Sequence, residues 1–218
     1  MYSRRCYCYT MLTNNERKQI ENTASLNNKT EEKTMDNCYL AVDIGASSGR
    51  HMLAWKEDGQ IRMEEIYRFS NGMEKKDGHL CWDLERLFQE VVNGIKKCRE
   101  LGKTPVSMAI DTWAVDYVLL DRDGRVIGNT YGYRDSRTEG MDEVVSRYLS
   151  PEELYARTGI QKQIFNTIYQ LMAVKTQEPE LLEKADKLLL VPDYLAYRLT
   201  GAAKTEYTNA TTTQLVSP

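Results

Sequence analysis

LAVDIGASSGRHMLAW, residues 40–55, has two mainly apolar runs separated by a short segment of small and polar residues. This pattern predicts a strand, a tight turn and a returning strand. Gly45 and Gly49 permit close backbone geometry without Cβ clashes, while Ser47 and Ser48 place hydroxyl groups beside backbone N–H groups. Such a turn can hold phosphate oxygens. The alternative is an ordinary polar hairpin, because Gly and Ser are common turn residues.

The turn matches neither a Walker A loop, which needs GxxxxGK[ST], nor a dinucleotide fingerprint, in which GxGxxG opens a helix. Asp43 stands at the end of the first strand, where a buried carboxylate is costly unless it is paired. Beside phosphate, Mg²⁺ or its bound water is a natural partner for this carboxylate. A structural role as a turn acceptor is the alternative for Asp43.

From Asp36 onward the chain has the pattern of a packed α/β domain. Asp58-Gly59 predicts a hairpin turn, and Asp83 predicts the cap of an amphipathic helix that ends near Gly102. A later helical pattern over residues 169–185 is broken near Pro179. Strands are predicted over residues 39–44, 50–57, 63–69, one long run at 106–124, and a return at 126–133.

Composition limits the classes of partner. A formal net charge of -3 over 218 residues argues against a nucleic-acid partner. No apolar run approaches the roughly 20 residues that cross a bilayer, which predicts a soluble protein with no membrane partner. The five cysteines are odd in number and irregularly spaced, which predicts reduced thiols in a cytoplasmic protein. Cys6 and Cys8 alone make an incomplete zinc site.

Residues 1–35 differ from the rest, because they are rich in Asn, Thr, Lys and Glu and lack a sustained apolar period. They are predicted to be a disordered or weakly helical N-terminal extension. Met35 stands immediately before the first strand, so we interpret it as a candidate translation start, with the domain running over residues 36–218.

Two further groups of residues have side chains suited to polar ligands. The first group is DTWAVD, residues 111–116. Asp111 and Asp116 could accept hydrogen bonds from the hydroxyl groups of a ligand, or they could be solvated carboxylates at strand ends. Trp113 could face a ligand or belong to the hydrophobic core. The second group is YRDSR, residues 133–137, in which Arg134 and Asp135 could form an internal ion pair or reach a ligand. For at least one of the two arginines, Arg134 and Arg137, an internal structural pair is favoured. The two histidines, His51 and His79, lack a nucleophile–base arrangement, which favours structural or exposed roles.

Nine strings, in this order and at this spacing, resemble the FGGY family of carbohydrate kinases, most closely the members that phosphorylate L-rhamnulose. They are VDIGASSGR, FSNG, WDLERLF, IDTWAVDYVLLDRDG, YRDSRT, LYARTGIQ, NTIYQL, LLLVPDYLAYRLTG and EYTNATTTQLV, and the resemblance runs from about Cys38 to the last residue. It implies an α/β actin-like ATPase (ribonuclease H-like) domain with a mixed sheet flanked by helices. It also implies transfer of the γ-phosphate of ATP, with Mg²⁺, to the 1-hydroxyl of L-rhamnulose in rhamnose catabolism.

The resemblance assigns roles to individual residues. The ATP-binding segment matches Ala46, Ser47, Ser48, Gly49 and Arg50, and Asp43 matches an aspartate that reaches the metal through water. Ala114 occupies a sugar-contacting position that is usually glycine, and its methyl group could narrow the pocket. The substrate-binding set is Ala114, Trp113, Asp111, Asp116, Arg134 and Asp135.

No catalytic residue is expected in this chain. In the family, the general base is an aspartate of the C-terminal domain, in a segment like SHDTAS, which is absent here. The chain alone is therefore expected to be an inactive kinase half that needs a C-terminal domain as its partner. Two alternatives stay open: an actin-like module that binds nucleotide or sugar without turnover, and a kinase for a related ketose such as fuculose or xylulose.

Overall fold

A computed structural model describes residues 37–217, and these form two compact units. The first unit contains residues 37–44, 49–69 and 90–111, and the second contains residues 45–48, 70–89 and 112–217. The predicted N-terminal extension, with Cys6 and Cys8, lies outside the described residues.

The described residues form nine strands and seven α-helices. The strands are Cys38–Ile44 (β1), Ser48–Glu57 (β2), Gln60–Ser70 (β3), Glu74–Lys76 (β4), His79–Cys81 (β5), Ser107–Asp111 (β6), Tyr117–Leu120 (β7), Val126–Ile127 (β8) and Lys187–Leu190 (β9). The helices are Leu84–Glu100 (α1), Met141–Ser146 (α2), Pro151–Thr158 (α3), Thr167–Gln177 (α4), Pro179–Lys184 (α5), Val191–Thr200 (α6) and Tyr207–Thr211 (α7).

The first unit is built on a mixed sheet with strand order β3-β2-β1-β6. Strand β1 pairs with β2 in antiparallel and with β6 in parallel orientation, which confirms the mixed sheet that the sequence predicts. Alternate residues of β1 are buried, as expected for a strand with one face on the core. The predicted hairpin turn between β2 and β3 is confirmed, since Asp58 and Gly59 both have positive φ, at 51° and 78°.

His51 on β2 packs against the part of α1 that belongs to the first unit. Its Nε2 donates a hydrogen bond to the carbonyl of Val91 at 3.3 Å, and a Cβ built on Gly94 would lie 2.2 Å from the ring. Burial lowers the pKa of His51, although the Val91 carbonyl opposes this effect, so the ring is neutral at pH 7. The prediction of a structural role is confirmed for His51, because the side chain is fully buried.

The second unit contains the antiparallel sheet β8-β7-β9, the β4-β5 hairpin and most of the helices. Asp83 caps α1 as predicted, because its Oδ1 accepts a hydrogen bond from the backbone N–H of Arg86 at 3.0 Å. The predicted break near Pro179 is confirmed by the separation of α4 from α5. A hydrophobic core lies between β7, β9, α1 and α6 and contains Leu84, Val118, Leu120, Leu189 and Tyr194.

The prediction of one long strand over residues 106–124 is wrong, because β6 ends at Asp111 and β7 begins at Tyr117. The break is a three-residue turn in which the N–H of Asp116 donates to the carbonyl of Ala114 at 2.9 Å. Val115, at its centre, has a φ of 68°. A β-branched residue seldom adopts positive φ, so the apolar pattern of the sequence does not predict this turn.

None of the helices within residues 37–217 has both the length and the apolar character of a membrane-spanning segment.

Candidate functional site

The turn between β1 and β2 is held by a residue that follows β3. Within the turn, the N–H of Gly45 donates to the carbonyl of Ser48 at 2.8 Å. Asn71 donates from its backbone N–H to the carbonyl of Ser47 at 2.9 Å and from Nδ2 to the carbonyl of Gly45 at 2.8 Å. Arg86 in turn donates from Nη2 to Oδ1 of Asn71 at 3.0 Å. These bonds fix the turn's carbonyl groups, while Ser47 remains exposed.

Gly49, the second glycine of the motif, is needed for packing within the first unit. A Cβ at this position would lie 2.2 Å from Cζ of Phe69 on β3. That contact is too short for any side chain unless the ring moves. Packing against Phe69 therefore explains why glycine occupies this position, independently of phosphate binding.

Asp43 lies between Arg50 and Asp111 in the sheet of the first unit. The strand register pairs Asp43 with Arg50 on β2 and with Asp111 on the parallel strand β6. Nε of Arg50 donates to Oδ2 of Asp43 at 2.9 Å, and both side chains are 47% exposed. The two carboxylates thus lie side by side at the carboxyl ends of adjacent parallel strands, although the sequence suggested separate roles for them.

This pair of carboxylates fits the donor chemistry of Mg²⁺. Within residues 37–217, no group of three or more His, Cys, Asp or Glu side chains could hold a metal ion. Mg²⁺ commonly binds through one or two carboxylates, keeps several waters and uses the phosphates of the substrate as further ligands. Asp43 and Asp111 supply the two carboxylates that such a site takes from the protein.

In the second unit, two tryptophans share one carboxylate oxygen. The rings of Trp82 and Trp113 stack with centroids 3.8 Å apart. Nε1 of Trp82 donates to Oδ2 of Asp116 at 2.6 Å, and Nε1 of Trp113 donates to the same oxygen at 2.9 Å. The N–H of Tyr133 adds a third donor to Oδ2 at 3.0 Å, and Nε2 of Gln170 donates to Oδ1 at 2.9 Å. We call Trp82, Trp113, Asp116, Tyr133 and Gln170 the Asp116 cluster.

Asp116 is buried and ionised. Burial raises the pKa of Asp116 to about 6, while its four N–H donors favour the charged form and oppose that rise. The group is therefore largely ionised at pH 7. The alternative of a solvated carboxylate is wrong for Asp116, because the residue is 0% exposed. Direct contact with a ligand does not fit this buried position either, whereas Trp113 is only half-buried.

The YRDSR segment makes different contacts from those the sequence predicted. Arg137 is buried, as favoured for one arginine, but Nη2 donates to Oε1 of Gln170 at 3.0 Å instead of to a carboxylate. Its guanidinium group lies 3.9 Å from the ring centroid of Tyr131. Arg134 is exposed, with its guanidinium 5.4 Å from the ring centroid of Tyr133.

Asp135 connects the YRDSR segment to the β4-β5 hairpin. It accepts hydrogen bonds from the N–H of Leu80 at 2.7 Å, Nδ1 of His79 at 3.0 Å and the N–H of Arg137 at 3.0 Å. Burial acts to raise the pKa of Asp135, but these three donors outweigh it and lower the pKa below its usual value. Because the side chain is only 4% exposed, the geometry fits an internal loop contact for Asp135 and a structural role for His79.

Sequence reasoning missed Trp82, Gln170 and Asn71 as site residues. Each falls within a string that supported the family resemblance, but none has a residue type or spacing that marks a role. Gln170 sits on α4 and reaches Asp116 from 54 positions away in the sequence.

A cavity of about 470 Å³ opens in the second unit beside Trp82, a member of the Asp116 cluster. Its lining includes Lys75, Trp82, Leu84 and Tyr194 but none of the residues predicted to bind ATP, sugar or metal. Lys75 therefore offers a control position that is not among the residues predicted to bind ATP, sugar or metal.

Comparison with known proteins identifies the family. Residues 38–217 match the model of the FGGY family of carbohydrate kinases, N-terminal domain. A rhamnulokinase of Oceanobacillus iheyensis is 50% identical over 183 residues, which are 84% of this chain and 39% of the relative. A rhamnulokinase of Halalkalibacterium halodurans is 53% identical over 182 residues, or 83% of this chain and 38% of the relative. The chain thus spans less than two fifths of the length of these relatives.

Solved structures confirm the predicted actin-like α/β fold. A ligand-bound xylulose kinase from Lactobacillus acidophilus superposes with a TM-score of 0.71 at 19% identity, covering 83% of this chain and 37% of that one. Glycerol kinase from Plasmodium falciparum with ADP gives a TM-score of 0.67 at 20% identity, covering 84% of this chain and 38% of that one. Because the family model matches residues 38–217, this chain belongs to the FGGY family of carbohydrate kinases, and these residues correspond to the family's N-terminal domain.

Proposed function

We propose that the chain is the N-terminal domain of a rhamnulokinase. Together with a C-terminal domain, it would transfer the γ-phosphate of ATP to the 1-hydroxyl of L-rhamnulose and give L-rhamnulose 1-phosphate and ADP. The observation that carries this proposal is the 50–53% identity to rhamnulokinases across nearly the whole domain. A cytoplasmic location is part of the same proposal.

The β1-β2 turn is the proposed phosphate-binding element. In this proposal, residues 46–50 hold phosphate oxygens through backbone N–H groups, the Ser47 and Ser48 hydroxyls and the Arg50 guanidinium. The bonds from Asn71 to the turn's carbonyls support the role, because phosphoryl transfer depends mainly on positioning and on fixed positive groups.

Asp43 and Asp111 are the proposed anchors for the water shell of Mg²⁺. The bound ion would neutralise charge on the transferring phosphate. Arg50 occupies one oxygen of Asp43 and so orients the carboxylate. Asp111, predicted as a sugar contact, fits the metal side better, because its strand position pairs with Asp43.

Trp113, Ala114 and Arg134 are the proposed sugar contacts. Trp113 and Ala114 are half-buried and Arg134 is exposed, so each can present part of its side chain to a ligand. An indole face suits the apolar side of a sugar, and Arg134 can donate to hydroxyl oxygens. The proton acceptor for the sugar hydroxyl is assigned to the C-terminal domain.

Ala114 also supports the second candidate function, a kinase for a related ketose. One additional methyl group in a pocket typically changes discrimination by about 10- to 200-fold. The methyl group of Ala114 could therefore favour L-fuculose or D-xylulose over L-rhamnulose.

A chimera tests the proposed function. Residues 38–217 would replace the matching domain of the Oceanobacillus iheyensis rhamnulokinase, and phosphorylation of L-rhamnulose, L-fuculose and D-xylulose would be compared. We expect L-rhamnulose to have the highest kcat/KM, and the Lys75→Ala control to behave like the parent chimera. A higher kcat/KM for another ketose would select the second candidate. ATP binding without turnover in a folded chimera would indicate a binding module.

In this chimera, Asp43→Asn is expected to raise the Mg²⁺ concentration for half-maximal rate by about 10- to 100-fold, the usual cost of losing an outer ligand. Titration of the rate with Mg²⁺ at saturating ATP and sugar measures it. Glu57→Gln removes an exposed charge farther along β2 and should leave the titration unchanged. An Asp43→Asn titration that overlays the parent's would rule out the metal role.

A further inference from the structure

We infer that Asp116 is a positioning residue for the sugar site: its carboxylate fixes the stacked Trp82–Trp113 pair and thereby sets where Trp113 and Ala114 meet the substrate. The inference rests on the proposed function, since it assigns these two residues to the sugar-binding surface.

The first support is the convergence of donors on one oxygen. Two stacked indoles from separate parts of the chain point their N–H groups at Oδ2 of Asp116, at 2.6 and 2.9 Å. Hydrogen bonds to an ionised carboxylate are shorter and stronger than those between neutral groups. Because a displacement of either ring would lengthen one of these bonds, the carboxylate fixes the rings relative to each other.

The second support is the strained backbone beside it. Val115 has a φ of 68°, and such a conformation persists only where the surroundings over-determine it. Its carbonyl accepts hydrogen bonds from Oγ1 of Thr167 at 2.7 Å and from Nε2 of Gln170 at 3.3 Å. Asp116 fixes the other side of the turn. Trp113 and Ala114 are therefore held in place by contacts on the buried side.

The third support is the difference in exposure within the cluster. Asp116 is 0% and Trp82 is 4% exposed, whereas Trp113 and Ala114 are only half-buried. A sugar can therefore touch Trp113 and Ala114 but not the carboxylate. Any effect of Asp116 on sugar binding must pass through the residues that it positions.

The test uses Asp116→Asn in a Trp55→Phe background, so that Trp82 and Trp113 are the remaining tryptophans among the three of the sequence. Asparagine has the same shape, but its amide group cannot accept all four N–H donors. In the full 218-residue chain, we expect the near-UV circular dichroism of the stacked pair to fall by at least half while the far-UV spectrum is unchanged. Asp123→Asn, in an exposed turn, is the matched control and should keep the parent spectrum.

In the chimera, Asp116→Asn is expected to raise the KM for L-rhamnulose about tenfold and to leave the KM for ATP unchanged. A merely structural role would reduce the active fraction, and so kcat, but not the KM for the sugar. An unchanged near-UV spectrum together with an unchanged sugar KM would overturn the inference.

A second variant covers the case in which Asp116→Asn does not fold. Trp82→Phe keeps an aromatic ring in the stack, removes one N–H donor and leaves the buried charge with three donors. We expect about a threefold rise in the KM for L-rhamnulose, and an unchanged KM would contradict the inference. If the parent chimera phosphorylates no ketose, the proposed function fails, while the near-UV result still decides whether Asp116 fixes the indole pair.

Discussion

Gln170→Leu is expected to lower the free energy of unfolding of the second unit by about 3–5 kcal/mol. The side chain is 1% exposed and bridges two charged groups, accepting from Arg137 at 3.0 Å and donating to Asp116 at 2.9 Å. Each hydrogen bond to a charged group contributes about 1.5–3 kcal/mol, and leaving a buried ion without its partner adds desolvation cost. Leucine fills a similar volume but forms no hydrogen bond to Arg137 or to Asp116.

Urea denaturation followed by tryptophan fluorescence in the Trp55→Phe background measures this loss, because both remaining tryptophans belong to the second unit. Gln177→Leu is the matched control: it is the same substitution on the same helix, at an exposed position, and should change the free energy by less than about 0.5 kcal/mol. A Gln170→Leu loss no larger than that of the control would show that the bridge between Arg137 and Asp116 contributes nothing to stability.

The parts of the fold that sequence predicted are those set by local rules. The alternating burial of β1 and the Asp58-Gly59 turn follow from period-two patterning and from the positive φ that these turn residues accept. The cap at Asp83 and the break at Pro179 follow from the same kind of local chemistry. Each depends on residues within a few positions of one another.

The parts that sequence did not predict depend on tertiary contacts. Thr167 and Gln170, more than 50 positions away, hold the carbonyl of Val115 and stabilise its positive φ, whereas the apolar run alone predicts one strand. The side-by-side position of Asp43 and Asp111 likewise depends on the register of a parallel pair. Parallel register is set by a distant crossover, which no local pattern reveals.

In the candidate site, too, the sequence predicts the local features but not those that depend on tertiary contacts. The β1-β2 turn was found from its own residues, yet the structure gives Gly49 a packing role against Phe69 that is separate from phosphate binding. Asp116 is singled out by its position in DTWAVD, yet three of its four hydrogen-bond partners come from other segments of the chain. Sequence could therefore indicate which residues matter in that segment, but not that the carboxylate faces inward.

The stability of the second unit is expected to depend on the ionisation of Asp116. Its folded pKa of about 6 lies above the ordinary value of 3.8, because burial disfavours the charged form. The folded state therefore binds this proton more tightly than the unfolded state does. The resulting stabilisation is complete below pH 3.8 and is lost as the pH rises through about 6. It amounts to about 3 kcal/mol in total, of which about 2 kcal/mol is lost between pH 4 and pH 7.

Comparison with Asp116→Asn isolates this contribution, because asparagine does not titrate. We expect the free energy of unfolding of the parent, minus that of the variant, to fall by about 2 kcal/mol between pH 4 and pH 7 in urea titrations. Asp193, whose pKa burial raises to about 6, and Asp135, whose pKa is lowered, are present in both proteins and cancel. The neighbouring Tyr117, whose pKa is raised by burial, stays neutral in this range. A difference that does not change with pH would mean that the four N–H donors fully offset the cost of burial.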